Sequence, residues 1–269
     1  MNRDLYRLAS RILEKCREFG APLAGICEVA ALKMEPSTRV VPHIPAGSYG
    51  SLASPLGLKP GEVRWPEGGQ SVIVLAVPHP ESEPELDWWF GQIDPPGNRL
   101  LKATSRRLKD WLGETCPEIK VSPITYHIEK GGIFLKEAAR LAGLGCIGRN
   151  NLLVTPEYGS RVRLRALILD QPLPATGPSA FDPCPDCAAP CLKSCPNRAF
   201  ERIVLTAEQT GEKHLPGRIG NYCRSNCSQV LLKNEAEAEP QLVPEISDLP
   251  VPVIKYCRNC ELSCPYGSR

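Results

Sequence analysis

Nine of the 13 cysteines in this 269-residue chain follow residue 183, and their spacing carries the clearest chemistry in the sequence. Cys184-x2-Cys187-x3-Cys191-x3-Cys195-Pro196 is followed by Cys257-x2-Cys260-x3-Cys264-Pro265, which makes an internal repeat. The bacterial two-cluster run is C-x2-C-x2-C-x3-C-P, and the first copy differs from it by one residue inserted between the second and third cysteines. Three close thiolates wrap one face of a four-iron cubane and a distant one closes it; in two-cluster proteins the cysteine before proline closes the other cluster. This crossing assigns Cys184, Cys187, Cys191 and Cys264 to one [4Fe-4S] cluster. A second takes Cys195, Cys257 and Cys260 and needs one more ligand, which Cys223 or Cys227 can supply. Paired zinc sites also use CxxC spacing, but the two Cys-Pro endings favour iron and sulfide.

A second constellation lies in Glu137 to Asp170, EAARLAGLGCIGRNNLLVTPEYGSRVRLRALILD, where Gly143, Gly145 and Gly148 spell G-x-G-x-x-G. A dinucleotide fingerprint follows a strand and opens a helix, whereas this one follows a helical stretch ending at Ala142. Gly143 is therefore read as a helix C-cap. The glycines still allow a bulky ligand near the backbone, with Arg149, Asn150 and Asn151 as neighbouring polar groups.

These motifs need elements to position them. MNRDLYRLASRILEKCREFG sets Leu5, Leu8, Ile12 and Cys16 at helical spacing among charges, an amphipathic helix stopped by Gly20. Ala21 to Ile26 reads as a short buried strand, and Ser71 to Val77, ended by Pro78, as a central strand buried on both faces. A helix over Asn98 to Gly113 precedes a strand over Lys120 to Tyr126, which Pro123 makes an edge or bulged strand. Gly132 to Ala142 is a further helix and Arg161 to Leu169 an alternating strand. Residues 34–70 read as an irregular ordered loop, 171–183 as a proline-rich hinge and 235–252 as an acidic connector. The expected fold class is α+β, with an α/β-type amino-terminal domain over 1–175. A ferredoxin-like double [4Fe-4S] module follows over 176–269.

Charge and cysteine usage bound the setting. Thirty-two Lys plus Arg against 30 Asp plus Glu leave a net charge of +2, far from the basic balance that favours phosphate backbones. An odd cysteine count, CxxC spacing and a first segment unlike a signal peptide argue against disulfides and for a reducing cytoplasm. No apolar run approaches bilayer length, so no membrane partner is expected.

AGLGCIGRNNLLVTPEYGSRVRL and the two Cys-Pro motifs together resemble the epoxyqueuosine reductase and reductive dehalogenase group, whose members bind cobalamin beside two [4Fe-4S] clusters. The resemblance is densest from Glu129 to Pro196 and from Tyr256 to Pro265. It implies that the 1–175 domain binds cobalamin, with the corrinoid bordered by Gly143, Gly145, Cys146, Ile147, Gly148, Arg149, Asn150 and Tyr158. It also implies a cluster ligand in a Cys-x-Ser setting, like Cys223-Arg224-Ser225, which favours Cys223 over Cys227. Cys146 stands where the group has tryptophan. Glu129 is the acid nearest the place of the group's proton-donating aspartate. The sequence ends four residues after Pro265, without the helical repeat domain that epoxyqueuosine reductases use on tRNA, which weighs against a nucleic-acid partner.

The functional expectation is a cytoplasmic iron-sulfur oxidoreductase. Electrons from a low-potential donor such as ferredoxin or flavodoxin would pass through two [4Fe-4S] clusters to a bound corrinoid and reduce a small-molecule substrate. The alternative is a non-catalytic electron-transfer or corrinoid-reactivating protein. Cys16, Cys27 and Cys116 read as structural, and Cys146 as either a packed thiol or a redox one. None of His43, His79, His127 and His214 has a partner at metal-ligand spacing; His127, two residues before Glu129, is the functional candidate among them. Trp88, Trp89 and Phe90 read as a loop anchor, and Lys102, Arg106, Arg107 and Lys109 as a solvated helix face.

Overall fold

The computed structural model describes residues 3–41 and 54–267; His43 and part of the expected 34–70 loop lie outside them. Helix α1 (Arg3–Glu18) buries Ala9, Ile12 and Cys16 along one face, as the apolar spacing requires. The turn after it bonds the Ala21 N–H to the Cys16 carbonyl at 2.9 Å, so β1 (Leu23–Glu28) starts two residues later than the sequence suggests. Two short helices, α2 (Val29–Lys33) and α3 (Pro36–Val40), occupy the start of the following stretch. Then come β2 (Ser71–Pro78), β3 (Trp89–Phe90), α4 (Pro96–Thr115), β4 (Val121–Pro123), α5 (Leu135–Leu141), β5 (Cys146–Ile147), β6 (Leu153–Val154) and β7 (Val162–Leu169).

The main sheet runs β1-β2-β7-β4, and every pairing in it is antiparallel. This revises the α/β-type expectation for the amino-terminal part. A continuous apolar run reports burial of both sheet faces, and helices on both sides achieve that for antiparallel strands too. Along β2, Val72, Val74 and Ala76 face α5 and its Leu135, Ala138 and Ala139. The alternate residues Ile73, Leu75 and Val77 face α1 and α4 through Ile12, Leu101, Leu108 and Leu112. Pro123 sits on the edge strand, where its missing N–H breaks no ladder. Lys102, Arg106, Arg107 and Lys109 are all exposed on α4, as expected.

Beyond the sheet the chain forms α6 (Pro190–Lys193), α7 (Ala207–Thr210), α8 (Arg224–Ala236), β8 (Pro240–Gln241), β9 (Val251–Ile254) and α9 (Asn259–Leu262). The proline-rich stretch is tied down rather than free: the Thr176 hydroxyl accepts from the Ile26 N–H at 2.8 Å and donates to the Ala142 carbonyl at 2.6 Å. The acidic connector supplies two strands, with β9 pairing β3 in a β3-β9-β8 sheet. Phe90 is buried there, Trp89 packs edge-on against Tyr256, and Lys255 lies 4.1 Å over the Trp88 ring. The aromatic triplet thus anchors the two segments to each other.

A buried ionic network makes the second tie. Asp87 receives His79 Nδ1 at 2.9 Å and Arg258 Nε at 3.0 Å, and it also pairs with Arg163 of β7. Arg258 bonds Glu261 and the His79 carbonyl in turn. Arg258 and Glu261 flank Cys260, so this network fixes the second cysteine motif to the sheet. Burial alone would push the Asp87 carboxyl up, but the His79 hydrogen bond and the charges of His79, Arg163 and Arg258 bring it down to about 2.

Candidate functional site

Eight of the nine carboxy-terminal cysteines gather into two groups, and the grouping crosses the chain. Cys184, Cys187 and Cys191 line one small cavity together with Cys264, more than 70 residues away. Val154, Ala189, Pro183 and Pro265 complete much of its wall. Burial pushes the Cys191 thiol up to about 11, and Cys264, Cys184 and Cys187 add to that by their nearness. The second group forms where α8 meets α9. Burial raises the Cys260 thiol to about 12, reinforced by Cys227, Cys257 and Cys195, while Cys257 is raised by burial and by Cys227 and Cys195.

Cys227, rather than Cys223, therefore faces the second group. Cys223 caps α8 and is buried, with its Sγ 3.2 Å from the Ser225 hydroxyl. Against the effect of burial, Ser225, the Asn226 N–H and Arg202 lower its thiol. The two cysteines are one helical turn apart, and the turn places Cys227 with Cys257 and Cys260. The Cys-x-Ser resemblance points instead to Cys223.

The glycine segment lies between these groups and holds both. Helix α5 ends in a Schellman motif: Leu144 N–H bonds Ala139 O and Gly143 N–H bonds Arg140 O, each at 3.0 Å, with Gly143 at φ +79°. At Gly145 a Cβ would stand 2.0 Å from the Val154 carbonyl oxygen, so that close approach is to the chain's own strand β6. Gly148 closes the tight turn between β5 and β6 through a 2.8 Å bond to the Leu152 carbonyl. Ile147 is half-buried on β5, and its carbonyl accepts Arg218 Nε at 2.8 Å. Arg149 donates to the carbonyls of Cys187 and Pro185 at 3.2 and 3.3 Å, bracing the first cysteine loop. Asn150 donates to the Cys260 carbonyl at 3.1 Å, bracing the second. Tyr158 is half-buried in a turn closed by its N–H to Thr155 Oγ1 at 3.1 Å. The clearances and donors that suggested a corrinoid contact at Gly143, Gly145, Arg149 and Asn150 serve contacts within the protein.

Cys146 is not an isolated packed thiol. Its Sγ lies within 4.8 Å of the Cys184 Sγ and an Asp182 carboxylate oxygen. Arg218 forks onto Asp182 at 2.7 and 2.8 Å and reaches Cys146 Sγ at 3.5 Å. The hydrogen bond from Cys146 is the largest influence on Cys184, whose thiol falls to about 6. By contrast, burial holds Cys16 and Cys27 at about 12, which fits purely structural roles.

Glu129 lies in a 3-10 turn, Ile128–Lys130, with its carboxylate 3.5 Å from His127 Nδ1. His214 is exposed, whereas His79 is enclosed by carboxylates that no sequence spacing could show. Two charged residues of α5 went unnoticed in the sequence because helical charges usually face water. Lys136 Nζ donates to the Asn151 carbonyl at 2.5 Å. Burial, and then Arg224, lower its amine to about 8, while Glu137, Cys227 and Cys260 oppose the shift. Glu137 is 5% exposed; Oε1 accepts the Ser37 N–H at 3.0 Å and Oε2 has no partner among the described residues. Burial pushes its carboxyl from the usual 4.5 up to about 7, against the Ser37 hydrogen bond.

A raised carboxyl value means that the folded state keeps a proton the unfolded chain releases. The resulting stabilisation is present below pH 4.5 and is lost as pH rises through about 7. Glu137→Gln should therefore remove a pH-dependent loss of stability on the order of 3 kcal/mol between pH 5 and 8. Urea midpoints of the two proteins across this range check it. Parallel curves would mean that Glu137 does not titrate there.

No family model matches the chain. Over 218 residues it is 29% identical to the epoxyqueuosine reductase of Vibrio cholerae, covering 73% of this chain and 55% of that protein. The chain is similar to the epoxyqueuosine reductases. Relatives from several other bacteria carry the same name. The chain spans about half the length of the Vibrio relative, with 55% of it matched. Among solved structures, an epoxyqueuosine reductase holding an epoxyqueuosine-modified tRNA stem loop superposes with TM-score 0.61 at 18% identity, over 98% of this chain and 66% of that one. A catabolic reductive dehalogenase in complex with 3-bromo-4-hydroxybenzoic acid gives TM-score 0.62 at 17% identity, over 98% of this chain and 32% of that one. These likenesses place the mixed helix-strand fold with both kinds of enzyme. The first of these two structures holds a tRNA stem loop, a class of partner that the net charge of this chain leads one not to expect. No helix among the described residues is long and apolar enough to cross a membrane.

Proposed function

We propose that this chain is an iron-sulfur oxidoreductase of the epoxyqueuosine reductase type, acting on an epoxyqueuosine-bearing tRNA. The observation that carries the reading is the crossed convergence of two four-thiol groups in this fold: Cys184, Cys187, Cys191 and Cys264 around one cavity, and Cys195, Cys227, Cys257 and Cys260 across α8 and α9. Soft thiolates in a largely apolar surround fit [4Fe-4S] clusters, which when bound carry single electrons at low potential. The protein's part is to position and insulate them. Arg149 and Asn150 brace the two cysteine loops from one short turn, which fixes their separation. Residues 176–269 form the ferredoxin-like part of this reading, fed by an external donor such as ferredoxin or flavodoxin, and residues 1–175 form the substrate-facing part. Glu129, oriented by His127, is the proton donor in this scheme.

The residues fit cobalamin less well than they fit the clusters. Arg149, Asn150 and the glycine clearances are engaged within the protein, so of this segment Ile147, Tyr158 and Cys146 are left to meet a corrinoid.

Anaerobic reconstitution tests the reading. Two four-iron clusters require about eight irons per chain, and the loaded protein should reduce an epoxyqueuosine-modified stem loop when given reduced flavodoxin. Zinc in place of iron would defeat the reading. Turnover of a halogenated phenol but not of the stem loop would favour the small-molecule reading, which the dehalogenase-like fold supports. Cobalamin uptake by the same sample decides the corrinoid.

A further inference from the structure

We propose that Cys146 is a spare ligand of the first cysteine group, able to take over the iron that Cys184 holds. The inference rests on the iron-sulfur reading above and concerns a residue of β5, outside both cysteine motifs. The Cys146 and Cys184 sulfurs lie within 4.8 Å of each other. Two thiolates on one tetrahedral metal, each about 2.3 Å from it, stand roughly 3.8 Å apart. Sulfurs this close therefore meet one corner of a cluster and compete for one iron, rather than serving two. Cys146 is also packed into one buried cluster with Val154 and Cys264, which line the cavity of the first group.

The local structure holds Cys146 in that place. Its register partner across the β5–β6 hairpin is Val154, and one Asp182 carboxylate oxygen accepts both the Cys184 N–H at 3.1 Å and the Cys146 thiol at 3.6 Å. Asp182 alone would oppose a thiolate at either sulfur. Arg218 forks onto Asp182, reaches Cys146 Sγ at 3.5 Å and bonds the Ile147 carbonyl through Nε at 2.8 Å, so the carboxylate's charge is offset where a metal thiolate would form. The backbone of Arg218 is left-handed at φ +76°, a conformation that a residue with a side chain rarely adopts, so the surrounding contacts impose it. Exchange at this corner breaks one iron–sulfur bond and forms another. Cys146 gives up its proton, Cys184 takes one up, and no electron moves.

The test is iron analysis and electron paramagnetic resonance of the anaerobically reconstituted full chain, desalted free of small thiols so that none stands in as a ligand. The first cluster is assigned by its loss in Cys187→Ala, which should leave about four irons per chain. Cys184→Ala should keep about eight, with the signal of the first cluster present but altered, and Cys146→Ala alone should also keep about eight. The double variant Cys146→Ala/Cys184→Ala should fall to about four. The signal of the second cluster, retained in every variant, shows that each one folds. Wild-type protein without iron would defeat the underlying reading. Wild type with both clusters and Cys184→Ala reduced to about four irons would overturn this inference alone. A double variant that keeps both clusters would do the same, since neither thiol would then hold an iron.

Discussion

Cys195→Ser lowers the iron content from about eight to about four per chain, and the centre that disappears is the one bound by Cys227, Cys257 and Cys260. This is the expected result because Cys195 follows the first motif in sequence but interacts with Cys257 and Cys260 in space. The counterpart at the other end is Cys264→Ser, which should remove the cluster of Cys184, Cys187 and Cys191, whose cavity Cys264 closes. Within α8, Cys227→Ser should lose the second cluster and Cys223→Ser should keep both. Iron analysis with resonance spectra of each variant reads these outcomes directly. If Cys195→Ser damages the first cluster instead, ligation is local and the crossing is wrong. If Cys223→Ser is the severe variant, the resemblance to a Cys-x-Ser ligand outweighs the packing described above.

Asp87→Ala is expected to cost about 3–5 kcal/mol, because it leaves two buried guanidinium groups, Arg163 and Arg258, without their shared carboxylate. For a chain of this size each kcal/mol corresponds to roughly 2–4 °C, so the midpoint of thermal unfolding should fall by roughly 6–20 °C. Asp87 has a folded value of about 2, below the usual 3.8. Its contribution is therefore present above pH 3.8 and is lost as pH falls through about 2. The gap between wild type and variant should narrow in strong acid. Circular dichroism melts at neutral and acidic pH check both parts, and a neutral loss below about 1 kcal/mol would show that the network is not stabilising. Because Arg258 and Glu261 flank Cys260, the same variant should also loosen the second cysteine motif, visible as slower or incomplete iron loading.

The cysteine spacing by itself showed which thiols can share a centre, because in the two-cluster pattern the cysteine before each proline crosses to close the other group. Binary patterning likewise determined the strands of the main sheet: SVIVLAV has apolar residues in both phases, so neither face of β2 could meet water. Gly143 as a C-cap was legible for the same local reason, the end of helical periodicity one residue earlier. Antiparallel order was not legible, because strand direction depends on how connections return and not on the pattern within a strand. Which of Cys223 and Cys227 faces Cys257 and Cys260 was equally hidden, since two cysteines one turn apart differ only in which neighbour the docked helix presents to them. Arg149 and Asn150 read as ligand contacts because their types suit that role; tertiary packing put backbone carbonyls of both cysteine loops in front of them. His79, Asp87 and Glu261 meet across some 180 residues of chain. Charge pairing acts through space over a few ångströms, so such partners become visible only when the chain has folded.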